Sequence, residues 1–442
     1  MVNKPKILLI RESDQVAGQV DRAALEARGF GFEVATVSDD YTGTADEQSA
    51  DAIILEMLTK SAAAASDAFC AHARSIAGDV HDRKIPILAL CDPDSADDLM
   101  QSDSIDDVMH PPLTAGQIAG RVATLARLNT MHFELARRLE TYSRYGLDAP
   151  DISPPEEVGD ATILVVGNGS RFPVIEKALA RKATIIGAFT RDTAEDYLLR
   201  RPFDGVVLDI PLEEASELLG HLRRNPRFYS LPILMLLPEA DPDTRDILFE
   251  TGATDIFVEP INPSELAAKM TNHVRENRFR DKLRAVYRQA RHMATGDALT
   301  GLFSRGFALE HLDRVLKDQA RWGEPLSLCG IAIENLPEIN SEFGYAVGDR
   351  VIRQIGALIG QLVRGEDMTA RWKGGDFLVI LTSTNAEDAT SAINRIRGVI
   401  NHTSFSVEDI DAPISVRVDT HIIEALPNEL PESVAKRAFL HS

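Results

Sequence analysis

Four short apolar runs occur twice in this chain, in the same order and roughly 150 residues apart. That repeat restricts the fold more than any other feature. Ile7-Leu8-Leu9-Ile10 is matched by Ile163-Leu164-Val165-Val166, and Asp51-Ala52-Ile53-Ile54-Leu55-Glu56 by Asp204-Gly205-Val206-Val207-Leu208-Asp209. Ile85-Pro86-Ile87-Leu88-Ala89-Leu90 is matched by Leu231-Pro232-Ile233-Leu234-Met235-Leu236. Last, Asp107-Val108-Met109-His110-Pro111-Pro112-Leu113 is matched by Asp255-Ile256-Phe257-Val258-Glu259-Pro260-Ile261. Runs without polar alternation suit strands covered on both faces, as in parallel sheets. With helical stretches between them, each copy is expected to be a doubly wound α/β unit.

The remaining length leaves room for one more domain, so 442 residues predict about three. Apolar residues at 44% and charged residues at 26% fit folded globular domains. The 47 Lys and Arg against 68 Asp and Glu give a net charge of −21, which disfavours loose binding to nucleic acid or to anionic membrane. A small anionic ligand in a local basic pocket stays compatible with it. Cys70, Cys91 and Cys329 lack metal-type spacing and are expected to be reduced and buried. The four apolar residues after Lys6 are too few for a signal peptide, and no apolar run reaches the ~18 residues of a membrane span. The expectation is a cytoplasmic protein.

Composition marks the boundaries. Residues 1–140 are expected to form the first unit, a turn-rich polar stretch over 141–160 the linker, and 161–282 the second unit. A helical connector follows over 283–296, then a third domain over 297–442. The helical pattern from Ser264 to about Ala294 reads either as a connector that pairs with its copy in a dimer or as a solvated single helix.

Each repeat resembles the receiver domain of response regulators over nearly its whole length. That resemblance implies a phosphoacceptor carboxylate, an acidic pair for Mg²⁺, a hydroxyl and a Lys. The acidic-pair positions hold Arg11 and Glu12 in the first copy, Gly167 and Asn168 in the second. The acceptor positions hold Glu56 and Asp209, the hydroxyl positions Cys91 and Leu237, and the Lys positions Pro111 and Glu259. Asp209 is thus a vestigial phosphoacceptor at most, and a strand-end carboxylate satisfied by local hydrogen bonds is the plainer reading. Both units are expected to serve dimerisation and docking.

The third domain resembles GGDEF domains through Asp297-Ala-Leu-Thr-Gly-Leu-Phe-Ser-Arg305, Ile339-Asn-Ser-Glu-Phe-Gly-Tyr-Ala-Val-Gly-Asp349 and Lys373-Gly-Gly-Asp-Phe377. The family makes cyclic di-GMP from two GTP with two divalent ions held by carboxylates. At those carboxylate positions stand Ala332 and Gly375, Pro337 replaces a phosphate-contacting Lys, and no A-K-x-x-G-R-N stretch precedes Ser442. The expectation drawn from these substitutions is a non-enzyme without metal. Asn340 and Asp349 fall where the family reads guanine, and read equally as a loop Asn and a helix-capping Asp. Arg364 and Asp367 match the family's Arg-x-x-Asp product-binding pair, and Arg395 its second site arginine. An Arg fork grips a phosphate or the O6/N7 edge of guanine, and Asp accepts from the N1 and N2 hydrogens. Arg371 and Lys373 read as solvated strand-surface charges.

The fold class expected is therefore α/β with an α+β cyclase-like third domain: two doubly wound receivers followed by a degenerate GGDEF domain. The arrangement resembles PleD- and PopA-type response regulators. This implies a cyclic di-GMP effector that forms a homodimer through its receivers. It further implies protein partners, among them a protease adaptor and a client regulator in cell-cycle control at the cell pole. A diguanylate cyclase with residual activity and a scaffold that binds no nucleotide are the alternatives.

Overall fold

The computed structural model describes residues 6–11, 20–36, 50–57, 70, 73, 85–91, 99, 104–111, 113–146, 149–155, 158–167, 169–180, 182–291, 296–407, 410 and 413–440. The chain divides into two compact units: Pro5–Asn129 with Ser153–Lys282, and Thr130–Ile152 with Leu283–Ser442. Two receiver-type sheets thus share a unit.

In that unit the first copy forms strands β1 (Lys6–Arg11), β2 (Gly31–Thr36), β3 (Ala52–Met57), β4 (Ile87–Cys91) and β5 (Asp107–Met109), all parallel, in the order β2-β1-β3-β4-β5. The second repeats this with β6 (Ala161–Gly167), β7 (Ala183–Ala188), β8 (Gly205–Asp209), β9 (Ile233–Leu237) and β10 (Asp255–Val258), in the order β7-β6-β8-β9-β10. This is the doubly wound order with one switch point. The uninterrupted apolar runs are explained by burial on both faces. Leu8, Ile10, Ile53 and Leu55 pack into one core layer, while Ile7, Leu9, Ile54 and Leu88 pack into another with Leu25 and Val122. Alternate residues of one strand therefore serve opposite layers.

The helix Ala115–Arg144 begins in this unit and its residues from Thr130 onward belong to the other. It runs into the stretch expected as linker, so residues 141–144 are helical. A second long helix spans Pro263–Arg291.

The other unit is a mixed sheet of β11 (Phe303–Ser304), β12 (Ser327–Ile333), β13 (Met368–Lys373), β14 (Asp376–Leu381) and β17 (Val418–Glu424), in the order β11-β13-β14-β12-β17, beside a small ribbon of β15 (Ser404–Phe405) and β16 (Ile414–Ser415). Ile331, Phe377 and Val379 pack one face against the helices Tyr345–Leu362 and Ala386–His402, through Val351, Ile355, Ile393 and Ile396. Helix Arg305–Trp322 lies on the other face, started by Ser304, whose hydroxyl accepts from the Phe307 amide. The Gly374-Gly375 turn joins β13 to β14, with Gly374 at φ +50°, where a side chain would be strained. All three cysteines are buried. No described helix is long and apolar enough to cross a membrane.

Candidate functional site

The helix Tyr345–Leu362 ends just before the Arg364-Gly-Glu-Asp367 loop, which leads into β13. The loop closes on itself: the Arg364 amide donates to Asp367 Oδ2 at 3.1 Å. Across a cleft of about 240 Å³ stands the helix Ala386–His402, so that Arg364, Asp367 and Arg395 line one cavity together with Thr384, Asp388 and Ser391. The structure therefore brings together all three residues expected to bind cyclic di-GMP. Arg395 is anchored by one nitrogen, Nη2 donating to Leu362 O at 2.9 Å. Arg364 is exposed, and among the described residues no acceptor holds its guanidinium.

Asp367 is the unusual member. It is 7% exposed, and among the described residues no donor reaches its Oδ1. A buried carboxylate oxygen without a donor is costly, and such groups are kept where they are used. Burial pushes the Asp367 carboxyl up to about 7, and Glu366 adds to the rise, against Arg364 and Arg138, which pull it down. The cleft thus offers two arginines and a carboxylate with an unused acceptor, suited to a guanine edge and a phosphate.

The positions expected to read guanine lie elsewhere in the same domain. Asn340 lies in the last turns of the helix Leu336–Phe343, its backbone carbonyl accepting from the Gly344 amide at 3.0 Å, and its carboxamide lies against Gly348, where a Cβ would come within 1.9 Å of Oδ1. Asp349 is the next residue and is exposed. Ala332 sits in register between Asp376 of β14 and Asp419 of β17, so both carboxylates flank it on one sheet face. Gly375 is packed, a Cβ there meeting Leu336 at 2.7 Å. Among the described residues no three His, Cys, Asp or Glu side chains gather to hold a metal.

Arg371 was expected to be a solvated surface charge, and here the structure differs. Its Nε and Nη2 donate to Gly374 O at 3.1 and 3.0 Å, and its Nη1 reaches Asp297 at 3.3 Å. Asp297 also accepts from the amide and hydroxyl of Thr300 at 2.9 and 2.8 Å. Arg371 therefore ties the hairpin to the wide turn, a link between segments far apart in sequence that no local pattern announces.

In the receiver unit, Arg11 meets Glu56 at 2.7 Å, and Glu56 also accepts from the Val20 amide at 3.2 Å. A cation thus pairs with the acceptor-position carboxylate. Glu12, Asn168 and Pro112 lie outside the described residues. Asp209 is paired with Arg171 at 2.5 Å, and Arg171 also holds Glu259 at 2.5 Å. Glu259, in the place of the Lys, is thus engaged by the same guanidinium.

Residues 294–439 match the family model described as diguanylate cyclase, GGDEF domain. Response regulator PleD of Caulobacter vibrioides is 28% identical over 426 residues, covering 92% of this chain and 90% of PleD. Diguanylate cyclase DosC of Escherichia coli is 29% identical over 138 residues, covering 30% of each chain. The crystal structure of the GGDEF domain of DgcB from Caulobacter crescentus in complex with c-di-GMP is 26% identical, covers 33% of this chain and 85% of that one, and has a TM-score of 0.32. The expectation of a non-enzyme is corrected by these matches: the model that fits is that of a cyclase family, and a relative named a diguanylate cyclase aligns with the domain. The physical reason lies in the sheet register. Asp376 and Asp419 flank Ala332 from the neighbouring strands, so the substitutions at Ala332 and Gly375 do not strip that sheet face of carboxylates. The fold is mixed α/β, parallel receiver-like sheets followed by a cyclase-like domain, and the matches support a receiver-receiver-GGDEF arrangement and a part in cyclic di-GMP signalling.

Proposed function

We propose that this protein responds to cyclic di-GMP by binding it in the cleft between the Arg364–Asp367 loop and the helix Ala386–His402. One observation carries the reading: Arg364, Asp367 and Arg395 line a single cavity, and the buried Asp367 keeps an acceptor oxygen without a donor. Arg364 takes a phosphate or the O6/N7 edge of a guanine, Asp367 the N1 and N2 hydrogens, and Arg395 adds a second positive group. A few such charge-assisted bonds, each worth roughly 1.5–3 kcal/mol, reach the ~8 kcal/mol of a micromolar complex. The output is a change in the surface shown to protein partners. A client regulator, polar placement and proteolysis are carried by the family resemblance, and capture of partners with and without cyclic di-GMP tests them.

The test of binding is calorimetric titration of cyclic di-GMP into wild type and Arg364→Ala, with GTP as control ligand. Micromolar binding that weakens tenfold or more in the variant supports the reading, and no binding in either overturns it.

A second reading, synthesis of cyclic di-GMP from GTP, is favoured by the match to the cyclase family. Asn340 and Asp349 are its guanine-reading candidates. Incubation with GTP and Mg²⁺ or Mn²⁺, with product detected by chromatography against a no-protein control, decides it.

A further inference from the structure

Arg138 is 2% exposed, a rare burial for a charged side chain. It stands on the helix Ala115–Arg144, yet it reaches the loop that carries the ligand-binding pair. Its Nη1 donates to Gly365 O at 3.0 Å and its Nη2 to Glu366 O, and these two residues separate Arg364 from Asp367. The guanidinium lies over the Tyr287 ring at 4.8 Å and 6.0 Å from the Phe303 ring. Tyr287 in turn donates its hydroxyl to Met131 O at 2.6 Å, on the same helix as Arg138. Two peptide planes of the loop are thus fixed by one rigid fork, which is itself clamped by aromatic faces.

We propose that Arg138 is a positioning residue for ligand binding at the Arg364–Asp367 cleft, so that ligand and the packing of helix residues 131–144 on the loop are linked. This rests on the reading of the cleft as a cyclic di-GMP site. By reciprocity, whatever the helix contributes to affinity the ligand returns as stability of the helix packing. The charged and titratable groups facing Asp367 are Arg364 and Glu366 on the loop, Arg138 and Tyr287 on the two packed helices, and Asp388 and Arg395 across the cleft. Arg138 is among those that lower the carboxyl's pKa, so its charge also favours the ionised acceptor.

The experiment is titration of cyclic di-GMP into full-length wild type, Arg138→Gln and Arg138→Lys between pH 6 and 8.5, with thermal unfolding as a check of folding. Arg138→Gln is expected to weaken binding at least tenfold at pH 7 and to move the midpoint of the pH profile upward. Arg138→Lys is expected to restore the midpoint, because the charge remains, but not the affinity, because an ammonium cannot fork two carbonyls. Hydrogen exchange over residues 131–144 is expected to slow with ligand in wild type and not in Arg138→Gln. A folded Arg138→Gln with wild-type affinity and midpoint would overturn the inference while leaving the cleft reading intact. If Arg138→Gln does not fold, wild-type affinity in Arg138→Lys overturns it. No binding by wild type would instead bring down the cleft reading and this inference with it.

Discussion

Two groups of buried charge teach different lessons, one in the receiver unit and one in the cyclase-like domain. In the receiver unit, Asp107 accepts from Arg121 and from Lys269 at 3.1 Å, Arg121 also forks onto Glu276, and His273 lies 3.5 Å from Asp255. Each carboxylate there has a cation. Burial alone would raise Asp107, yet Arg121, Lys269 and His273 outweigh it and hold the carboxyl below its usual value. The carboxyls of Asp255 and Glu276 are held down in the same way, against burial, by Lys269 and His273 and by Arg121 respectively. Asp367 is as deeply buried, but the balance goes the other way. A network that closes on itself neutralises its own buried charge, whereas Asp367 keeps one buried oxygen with no donor among the described residues.

The sharpest way to break that contrast is to remove the same charge from both places. Asp107→Asn is expected to lower the unfolding free energy by about 3–5 kcal/mol, because it takes the central carboxylate from a fully buried network and leaves Arg121 with Glu276 alone and Lys269 with Asp255 alone. Asp367→Asn is expected to raise it by about 1 kcal/mol at pH 8, since a neutral amide escapes the desolvation a buried carboxylate suffers. Urea denaturation of both variants at pH 8 measures the pair. A loss in both would mean that Asp367 is structural and the two regions do not differ in kind.

Next in size is the effect of Arg364→Ala on cyclic di-GMP, a loss of about 1.5–3 kcal/mol in binding with unfolding unchanged. Asp107→Asn, if it stays folded, is expected to do the reverse. Acidity separates the regions again. On the proposed reading Asp367, its carboxyl pushed up to about 7, accepts from guanine only when ionised, so affinity is expected to be about tenfold weaker at pH 6 than at pH 8. In stability the signs are opposite. Native Asp367 binds more protons than its unfolded counterpart between about pH 4 and 7, so its contribution falls as pH rises through that window. Asp107, Asp255 and Glu276 are lowered, so their contributions are lost as pH falls through their native values. Calorimetry across pH 6–8 checks the binding slope, denaturation across pH 4–8 the Asp367 slope, and denaturation below pH 4 the loss from Asp107, Asp255 and Glu276.

How much of this was legible in sequence depended on the range of the interaction. The parallel sheets were, because strands buried on both faces print continuous runs such as Ile53-Ile54-Leu55. The shared placement of Arg364, Asp367 and Arg395 along one cavity was, because one strand fixes the loop's distance from the hairpin and one helix face presents Arg395. Arg138 was not: it meets Gly365 across 227 residues, and a buried arginine on an amphipathic helix looks in sequence like a solvated one. Arg371 was misread for the same reason, its partners being a turn carbonyl and Asp297. At Ala332 the missing side chain is visible in sequence, but the register that sets Asp376 and Asp419 on either side of it is not.

The smallest effect belongs to Asp209, which stands between the two cases. Its partner Arg171 is 27% exposed and shared with Glu259, itself half in solvent. Asp209→Asn is therefore expected to cost under about 1 kcal/mol, because Arg171 keeps Glu259 and water reaches the pair. The same sharing makes Asp209 a poor phosphoacceptor, since the guanidinium already occupies its oxygen and Gly167 supplies no carboxylate beside it. Treatment with acetyl phosphate and Mg²⁺ followed by mass spectrometry is expected to leave Asp209 unmodified. A phosphorylated Asp209 would show that the receiver unit too holds a carboxylate kept for something outside the chain, and the division between a closed network and an open cleft would no longer follow the division between units.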